Sequence, residues 1–108
     1  MNKRTVPKHL SMSTRKWVKV VLNEFELQDH HFHLLILAGE ALDRSELARR
    51  EIAKHGMTFS GKDGSPRLRP EVLVERDSKD LFRRLLRELN LSEESAESRP
   101  PRLKYGGE

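Results

Sequence analysis

The segment that decides the fold is residues 64–91, which read GSPRLRPEVLVERDSKDLFRRLLRELNL. Its turn-forming start leads into Pro70, which suits the first position of a helix because its missing N–H has no helical partner there and its φ is already set. Leucine and phenylalanine then recur every three or four residues, and Asn90 favours the left-handed conformation that ends a helix. The segment therefore predicts a long amphipathic helix. Its apolar face carries Leu81, Phe82, Leu85, Leu86 and Leu89, and its opposite face carries Arg76, Lys79, Arg83, Arg84 and Arg87.

Two more helices are predicted upstream of this segment. Ser11 or Ser13 can cap a short first helix, whose apolar residues recur at helical spacing. Asp29 is the predicted cap of a second helix over residues 30–55, which spans roughly 40 Å. Gly39 lies inside this helix, where glycine costs about 1 kcal/mol against alanine. Its small size would allow another helix to cross closely at that point.

A small β-hairpin is predicted between the second and third helices. Asp63-Gly64 is a strong turn signal, and residues 57–60 and 65–69 flank it as short strands. The predicted fold is mainly α: a short N-terminal helix, then two long antiparallel helices joined by the hairpin, assembling as a helical oligomer. The predicted organisation is a basic flexible arm (1–12), a helical oligomerisation and DNA-engaging domain (13–91) and a flexible C-terminal tail (92–108).

Composition favours assembly over a monomer. The chain has only 108 residues, of which 35% are hydrophobic and 35% are charged. A chain of this size buries a limited share of its surface alone, so long helices with wide apolar faces need further cover. We expect these faces to pack within and between copies. The residues assigned to oligomerisation are Phe32, Leu35, Ile36, Leu42, Leu81, Phe82, Leu85, Leu86 and Leu89.

The charge distribution permits an acidic partner. The net charge is +4, and the first 20 residues contain basic side chains but no acidic one. Such a segment can bind the phosphates of DNA, although a plain flexible tail would look the same. The basic face of the third helix also has two interpretations, a phosphate-binding surface or a salt-bridged one with pairs such as Glu75–Lys79 and Asp80–Arg84. The candidate DNA-binding residues are Lys3, Arg4, Lys8, Arg15, Lys16, Lys19, Arg76, Lys79, Arg83 and Arg87.

Several classes of function find no support in the sequence. There is no cysteine, no apolar run long enough to span a bilayer and no signal-peptide core, so we expect an intracellular protein. His30 and His33 lie on one helix face beside Asp29, but no second ligand pair exists, so no metal or cofactor is predicted. No phosphate-binding loop or catalytic carboxylate pair is present, and we predict no enzyme.

A helix-turn-helix placed on residues 46–58 fails for a steric reason. The recognition helix would fall on residues 59–70, where glycines and prolines prevent a helix. Residues 13–25 with the helix that follows remain an alternative as a minimal helical DNA-binding module.

An ordered series of residues along the chain carries a family resemblance. The series is Leu34-Leu35, Ala38, Glu40–Arg44, Ala48-Arg49, Gly56–Thr58, Asp63-Gly64, Arg67, Arg69-Pro70, Val72, Glu75–Asp77, Phe82, Leu85–Leu89 and Arg99–Leu103. It resembles the short, ring-forming class of phage terminase small subunits. The resemblance covers about residues 17–103, and no single motif in it is diagnostic. One departure is Arg69 before the helix-opening proline, where family members often have histidine.

The resemblance implies a non-enzymatic component of viral DNA packaging. Such a subunit forms a ring, engages double-stranded viral DNA in the host cytoplasm and presents it to the large subunit, which carries the ATPase and the nuclease. The tail from Ser92 onward is then expected to dock on the large subunit. Two alternatives stay open: a small homo-oligomeric DNA-binding regulator or nucleoid-type protein, and a scaffold that never touches DNA.

Overall fold

The computed structural model describes residues 4–91 and the backbone of residues 102 and 103. This part of the chain forms three helices and two small antiparallel sheets, one pairing β1 with β4 and the other pairing β2 with β3. The mainly helical prediction, with a short first helix and a hairpin between two long helices, is confirmed. In order, the elements are α1 (Met12–Glu24), β1 (Phe25–Glu26), α2 (Asp29–His55), β2 (Thr58–Ser60), β3 (Pro66–Leu68), α3 (Pro70–Leu89) and β4 (Arg102–Leu103).

Local sequence signals set most helix ends. Ser11 caps α1, and its Oγ accepts a hydrogen bond from the Thr14 N–H at 3.3 Å. Gly56 follows α2 with a φ of 82°, and Asn90 follows α3 with a φ of 50°, the left-handed region that ends helices.

The start of α2 differs from the prediction by one residue. Gln28, not Asp29, is the capping residue, and Asp29 is the first residue of the helix. The Gln28 N–H donates to Nδ1 of His31 at 3.3 Å, which replaces the expected aspartate cap. Asp29 remains favourable in the first turn because its negative charge faces the positive end of the helix dipole.

The hydrophobic core lies where α1, the first half of α2 and the end of α3 meet. Leu35 of α2 and Leu89 of α3 are fully buried there, together with Val18 of α1. The Trp17 ring of α1 lies 5.6 Å from the Phe82 ring of α3, between centroids. Since Leu35 lies early in α2 and Leu89 lies at the end of α3, the two long helices run antiparallel, as predicted.

The N-terminal segment is packed from Arg4 onward, which corrects the prediction of a flexible arm over residues 1–12. Val6 and Leu10 belong to the buried core cluster. The Arg4 guanidinium donates to the Gln28 carbonyl at 3.1 Å and to Asp29 at 3.0 Å. Burial of two apolar side chains stabilises the packed segment, with about 1.5–3 kcal/mol for each fully buried one. Residues 1–3 lie outside the described residues.

The predicted tail falls mostly outside the described residues. Of residues 92–108, the structure describes the backbone of β4, which pairs antiparallel with β1. Phe25 is opposite Leu103, and Glu26 is opposite Arg102. The described part of the tail therefore returns to the connection between α1 and α2.

The start of α1 is fixed to the middle of α2. A Cβ added at Gly39 would lie 3.0 Å from Cγ2 of Thr14, so the close crossing that the sequence suggested is present. Four residues on, the Asp43 carboxylate accepts hydrogen bonds from the Ser11 N–H at 2.7 Å, the Ser11 hydroxyl at 2.7 Å and the Thr14 hydroxyl at 2.6 Å. His9 and Glu40 form an adjacent pair at 2.8 Å.

We expect Asp43→Asn to lower the free energy of unfolding by about 1–3 kcal/mol at neutral pH, because hydrogen bonds to a charged group are lost. Burial by itself raises the pKa of Asp43, but the hydrogen bonds from Thr14 and Ser11 and the charge of His9 outweigh it and hold the pKa below 3.8. This stabilisation is therefore present above pH 3.8 and is lost as the pH falls through the lower folded pKa. Urea unfolding across pH measures it.

The matched control is Asp77→Asn, since Asp77 is exposed and pairs only with its neighbour Arg76. We expect that change to alter the free energy of unfolding by less than about 0.5 kcal/mol. If both variants behaved alike at every pH, Asp43 would not be what holds α1 on α2.

Candidate nucleic-acid interface

Three exposed lysines lie at and just before α1. Lys16 and Lys19 are three residues apart, which places them on one side of the helix. That side faces away from Thr14, Val18 and Val21, which point into the protein. Lys8 precedes the helix and is also exposed. We call these three lysines the α1 basic face.

The charges of the α1 basic face are not neutralised locally. Within residues 4–91, none of the three lysines forms an ion pair or a hydrogen bond through its side chain. The first turn of α1 has no acidic residue, and Glu24 at its last position is the one acid in the helix. Unpaired surface lysines are available to neutralise phosphates, which is the main source of affinity for DNA.

The other predicted N-terminal cations differ from this set. Arg4 is engaged: besides its hydrogen bonds it lies over the Phe32 ring, 5.3 Å from the centroid. Arg15 is half-buried, and its Nε is buried with no hydrogen-bond partner in the described residues. Lys3 lies outside the described residues. Lys16 and Lys19 therefore share one side of α1, and Lys8 precedes that helix; all three are exposed and unpaired in the described residues, whereas Arg4 is engaged.

The basic stripe of α3 is largely paired with acids on the same helix. Lys79 lies 2.9 Å from Glu75, the pair that the sequence suggested. Asp80 pairs with Arg83 at 2.6 Å rather than with Arg84, so that predicted partner was wrong. The hydrogen bond from Arg83 is the main cause that lowers the pKa of Asp80, although burial opposes it.

Three further arginines complete the stripe. Arg76 lies 3.3 Å from Asp77. Arg84, and Arg87 in the last turn, have no ion pair in the described residues. Three of the five cations thus form salt bridges, and these pairs compete with any phosphate for the same cations.

The contact between Trp17 and Phe82 sets α1 against one flank of α3. Lys79 and Leu86 lie three residues before and four after Phe82, so they share that flank. Leu86 packs against the core, whereas Lys79 is exposed.

The predicted oligomerisation residues are mostly used within one protomer. Leu35 and Leu89 are fully buried, and Leu85 is nearly so. These three side chains pack within the protomer, which is one half of the expectation that the apolar faces pack within and between copies. Leu81 alone of the set is exposed, at 38%. The half-buried members are Phe32, Ile36, Leu42, Phe82 and Leu86.

Sequence reasoning missed the apolar side chains that remain at the surface of the two long helices, α2 and α3, which we call the helical pair. Leu37 and Leu47 on α2 and Val74 on α3 are exposed. Val74 and Leu81 are seven residues apart and therefore lie on one face of α3. The sequence indicated that apolar side chains would remain uncovered, since α2 is apolar nearly all round in its first half. Periodicity alone does not show which side of the helix is covered by the rest of the protein.

The histidines at the start of α2 have a structural explanation. His31 is buried and accepts the hydrogen bond from Gln28, and the His30 ring lies 4.1 Å from its own, between centroids. Burial, and then the nearby charges of His30 and Arg4, lower the pKa of His31. Among the described residues, no group of three or more potential ligand side chains is arranged to hold a metal ion.

Two further observations complete this description. In the part of the chain that the structure describes, each helix is too short or too polar to cross a bilayer. No protein-family model, curated protein or solved structure matches the chain.

Proposed function

We propose that this chain is the non-catalytic small subunit of a viral DNA-packaging terminase. In this proposal it binds double-stranded DNA, assembles into a ring and delivers DNA to the large subunit. The α1 basic face is the observation that carries the DNA-binding part, because its lysines are exposed and unpaired and α1 has a single acidic residue, at its last position. The family resemblance described above supports the role in packaging and the large subunit as a partner.

The DNA contact is expected to be electrostatic. A few lysines per protomer give modest affinity, but repetition around an oligomer presents many such faces to one duplex. Affinity would then come from valency and fall steeply with salt, with little dependence on sequence. The structure of residues 59–70 supports this, since they contain most of β2 and all of β3 where a recognition helix after residues 46–58 would have to lie.

The distribution of charge on α2 and α3 supports side-by-side packing of these helices from neighbouring copies. Residues 44–55 of α2 contain four basic and two acidic residues, whereas residues 70–80 of α3 contain four acidic and two basic residues. The outer part of α2 is therefore net positive and that of α3 net negative. If α2 of one copy lies beside α3 of the next, these charges attract. Such a head-to-tail contact closes into a ring when the rotation permits.

The outer part of the helical pair also lacks a core of its own. Ala41, Ser45, Ala48 and Ser78 are its buried residues before Leu85. Small side chains let the two backbones approach but bury little apolar area. No residue between 37 and 85 belongs to the core cluster, within the described residues. Apolar side chains left exposed there are available to a second copy.

We expect Leu81→Glu to reduce the solution mass of the assembled protein. A carboxylate at this half-exposed position would cost several kcal/mol if another copy covered it, and little if it faced water. Light scattering at two salt concentrations gives the mass, with Arg84→Gln as a control that also changes the net charge by −1, at an exposed site of the same helix. A wild-type monomer at both concentrations would contradict intrinsic ring formation.

The direct test of DNA binding is titration of a mixed-sequence duplex with the full chain over a series of salt concentrations. The proposal predicts a linear fall of log affinity with log salt. No binding at about 50 mM salt would remove the DNA-binding role and favour a scaffold.

Footprinting separates packaging from regulation. A packaging subunit should protect DNA at a packaging start site, and a regulator should protect promoter DNA. The tail is tested separately: we propose that residues 92–108 bind the large subunit, and unchanged binding after their deletion would contradict this.

A further inference from the structure

The β-hairpin stands out from the rest of the fold. Its register pairs Thr58 with Leu68, Phe59 with Arg67 and Ser60 with Pro66. All strand residues are exposed, so the hairpin does not pack its faces on the helices. A two-stranded ribbon of this size is marginal by itself. Packing in the hydrophobic core therefore does not explain why the hairpin is present at the end of the long helices.

The hairpin is cationic, and its one acid is already engaged. Between residues 57 and 69 the basic residues are Lys62, Arg67 and Arg69, and Asp63 is the one acid. Oδ1 of Asp63 accepts from the Ser65 hydroxyl at 2.6 Å and from the Ser65 N–H at 3.1 Å. These hydrogen bonds lower the pKa of Asp63 and fix the turn. None of the three cations has an ion pair in the described residues.

Glycine at position 61 makes room for an arginine. A Cβ built on Gly61 would lie 2.7 Å from Nε of Arg67 and 3.2 Å from its Cγ. The Arg67 side chain therefore crosses the hairpin over Gly61, in a place that any other residue would block.

A second arginine is held in place by an aromatic ring. The Arg69 guanidinium lies over Phe59, 5.9 Å from the ring centroid, and its Nε donates to the His55 carbonyl at 3.3 Å. Phe59 and Arg67 are opposite each other in the ladder and so point to the same face. That face thus presents two pre-positioned guanidinium groups and one ring.

We infer that the β-hairpin is a second contact for the nucleic-acid backbone, with Lys62 and Arg67 binding phosphates. This inference rests on the proposed DNA-binding function, which was argued from the α1 basic face alone, and extends it to the β-hairpin. Unpaired, pre-positioned arginines favour a phosphate ligand over an apolar protein surface. A two-stranded ribbon also fits the major groove of B-DNA.

The spacing within a protomer is compatible with one duplex. Ser11 at the start of α1 is bonded to Asp43, twelve residues before the end of α2 at His55. Twelve helical residues rise roughly 18 Å, about half a turn of B-DNA. A duplex a few turns long can therefore reach both the α1 basic face and the hairpin.

The experiment compares full-length wild type with Lys62→Gln/Arg67→Gln in titrations of a mixed-sequence duplex of about three helical turns over a salt series. The control is Arg49→Gln/Lys54→Gln, which removes the same charge from cations paired with Glu46 and Glu51. We expect the hairpin variant to lower the salt slope by about 2 and the affinity roughly tenfold or more. The control should change the affinity less than about threefold.

Two more variants separate charge from folding. Lys62→Gln alone changes an exposed turn residue and should lower the slope by about 1. Gly61→Ala displaces Arg67 while keeping every charge, and should also weaken binding. Because the chain has no cysteine, Met57→Cys carries a single photo-crosslinker, which should give a protein–DNA adduct. Met57 is exposed and lies two residues before Phe59, so it is on the same face of the hairpin as Phe59 and Arg67.

The outcomes separate this inference from the proposed function. Wild-type binding with an unchanged slope in the hairpin variants and no adduct at position 57 would overturn the inference and leave DNA binding at α1 intact. No binding by wild type would overturn both. A reduced slope for Lys62→Gln together with the adduct would support the hairpin contact.

Discussion

Leu89→Ala is expected to lower the free energy of unfolding by about 3–5 kcal/mol, the upper part of the range for buried leucines. Leu89 is 0% exposed and closes the core at the end of α3. Because the core is confined to one end of a small protein, the surrounding helices can do little to fill the cavity. Urea unfolding followed by circular dichroism, at one fixed protein concentration, measures the change.

Leu81→Ala is the matched control, since it makes the same change two turns earlier on the same helix. Leu81 is 38% exposed, so within a lone protomer its truncation should cost about 1 kcal/mol or less. Equal losses for the two variants would contradict the description of Leu81 as a surface residue. They would mean that another copy covers it in solution, and the loss should then shrink on dilution.

Helix and hairpin boundaries were predicted well because their signals are local. Ser11, Pro70 and Asn90 each act through their own backbone geometry or through a bond to a residue within one turn. The Asp63-Gly64 turn likewise needs only its immediate neighbours, and Gly64 has a φ of 83°. The exception is the cap of α2. There the side chain of His31 accepts the hydrogen bond from the Gln28 N–H, whereas general capping preferences favour aspartate at the start of a helix.

The packed N-terminal segment could not be predicted from such signals. Val6 and Leu10 stand alone among polar and basic residues, so no periodicity marks them. Their burial depends on the position of α1 on α2, which Gly39 and Asp43 determine from more than twenty residues away. The pairing of β1 with β4 is similarly non-local, and a strand of two residues leaves no sequence pattern.

Sequence reasoning could predict only part of the candidate nucleic-acid interface. Counting charges drew attention to the N-terminal region, as the better electrostatic candidate, and to α3, and the Glu75–Lys79 spacing correctly indicated a salt bridge. Charge counting could not separate the N-terminal cations from one another, because ion pairs between distant elements leave no local pattern. Arg4 is engaged through Asp29 and Phe32, whereas the lysines of the α1 basic face have no such partners. The structure thus reduces a broad basic region to a small face.

The decisive functional prediction concerns that face. Replacing Lys8, Lys16 and Lys19 together by glutamine is expected to lower the affinity for duplex DNA roughly 10²- to 10³-fold at about 0.1 M salt, and to lower the salt slope by about 2.7. The reason is that three phosphate contacts, and the counterions that they release, are lost from each protomer. All three side chains are exposed and unpaired, so the fold should be unaffected.

The matched control removes three positive charges from paired positions, Arg49, Lys54 and Lys79. Both triple variants have the same net charge, so a difference between them measures location rather than total charge. We expect the control to retain affinity within about tenfold. Equal losses of affinity in the two variants would mean that DNA binding depends on the overall electrostatic field of the oligomer. A larger loss in the control would move the binding surface to the paired helices α2 and α3, where the outer part of α2 is net positive.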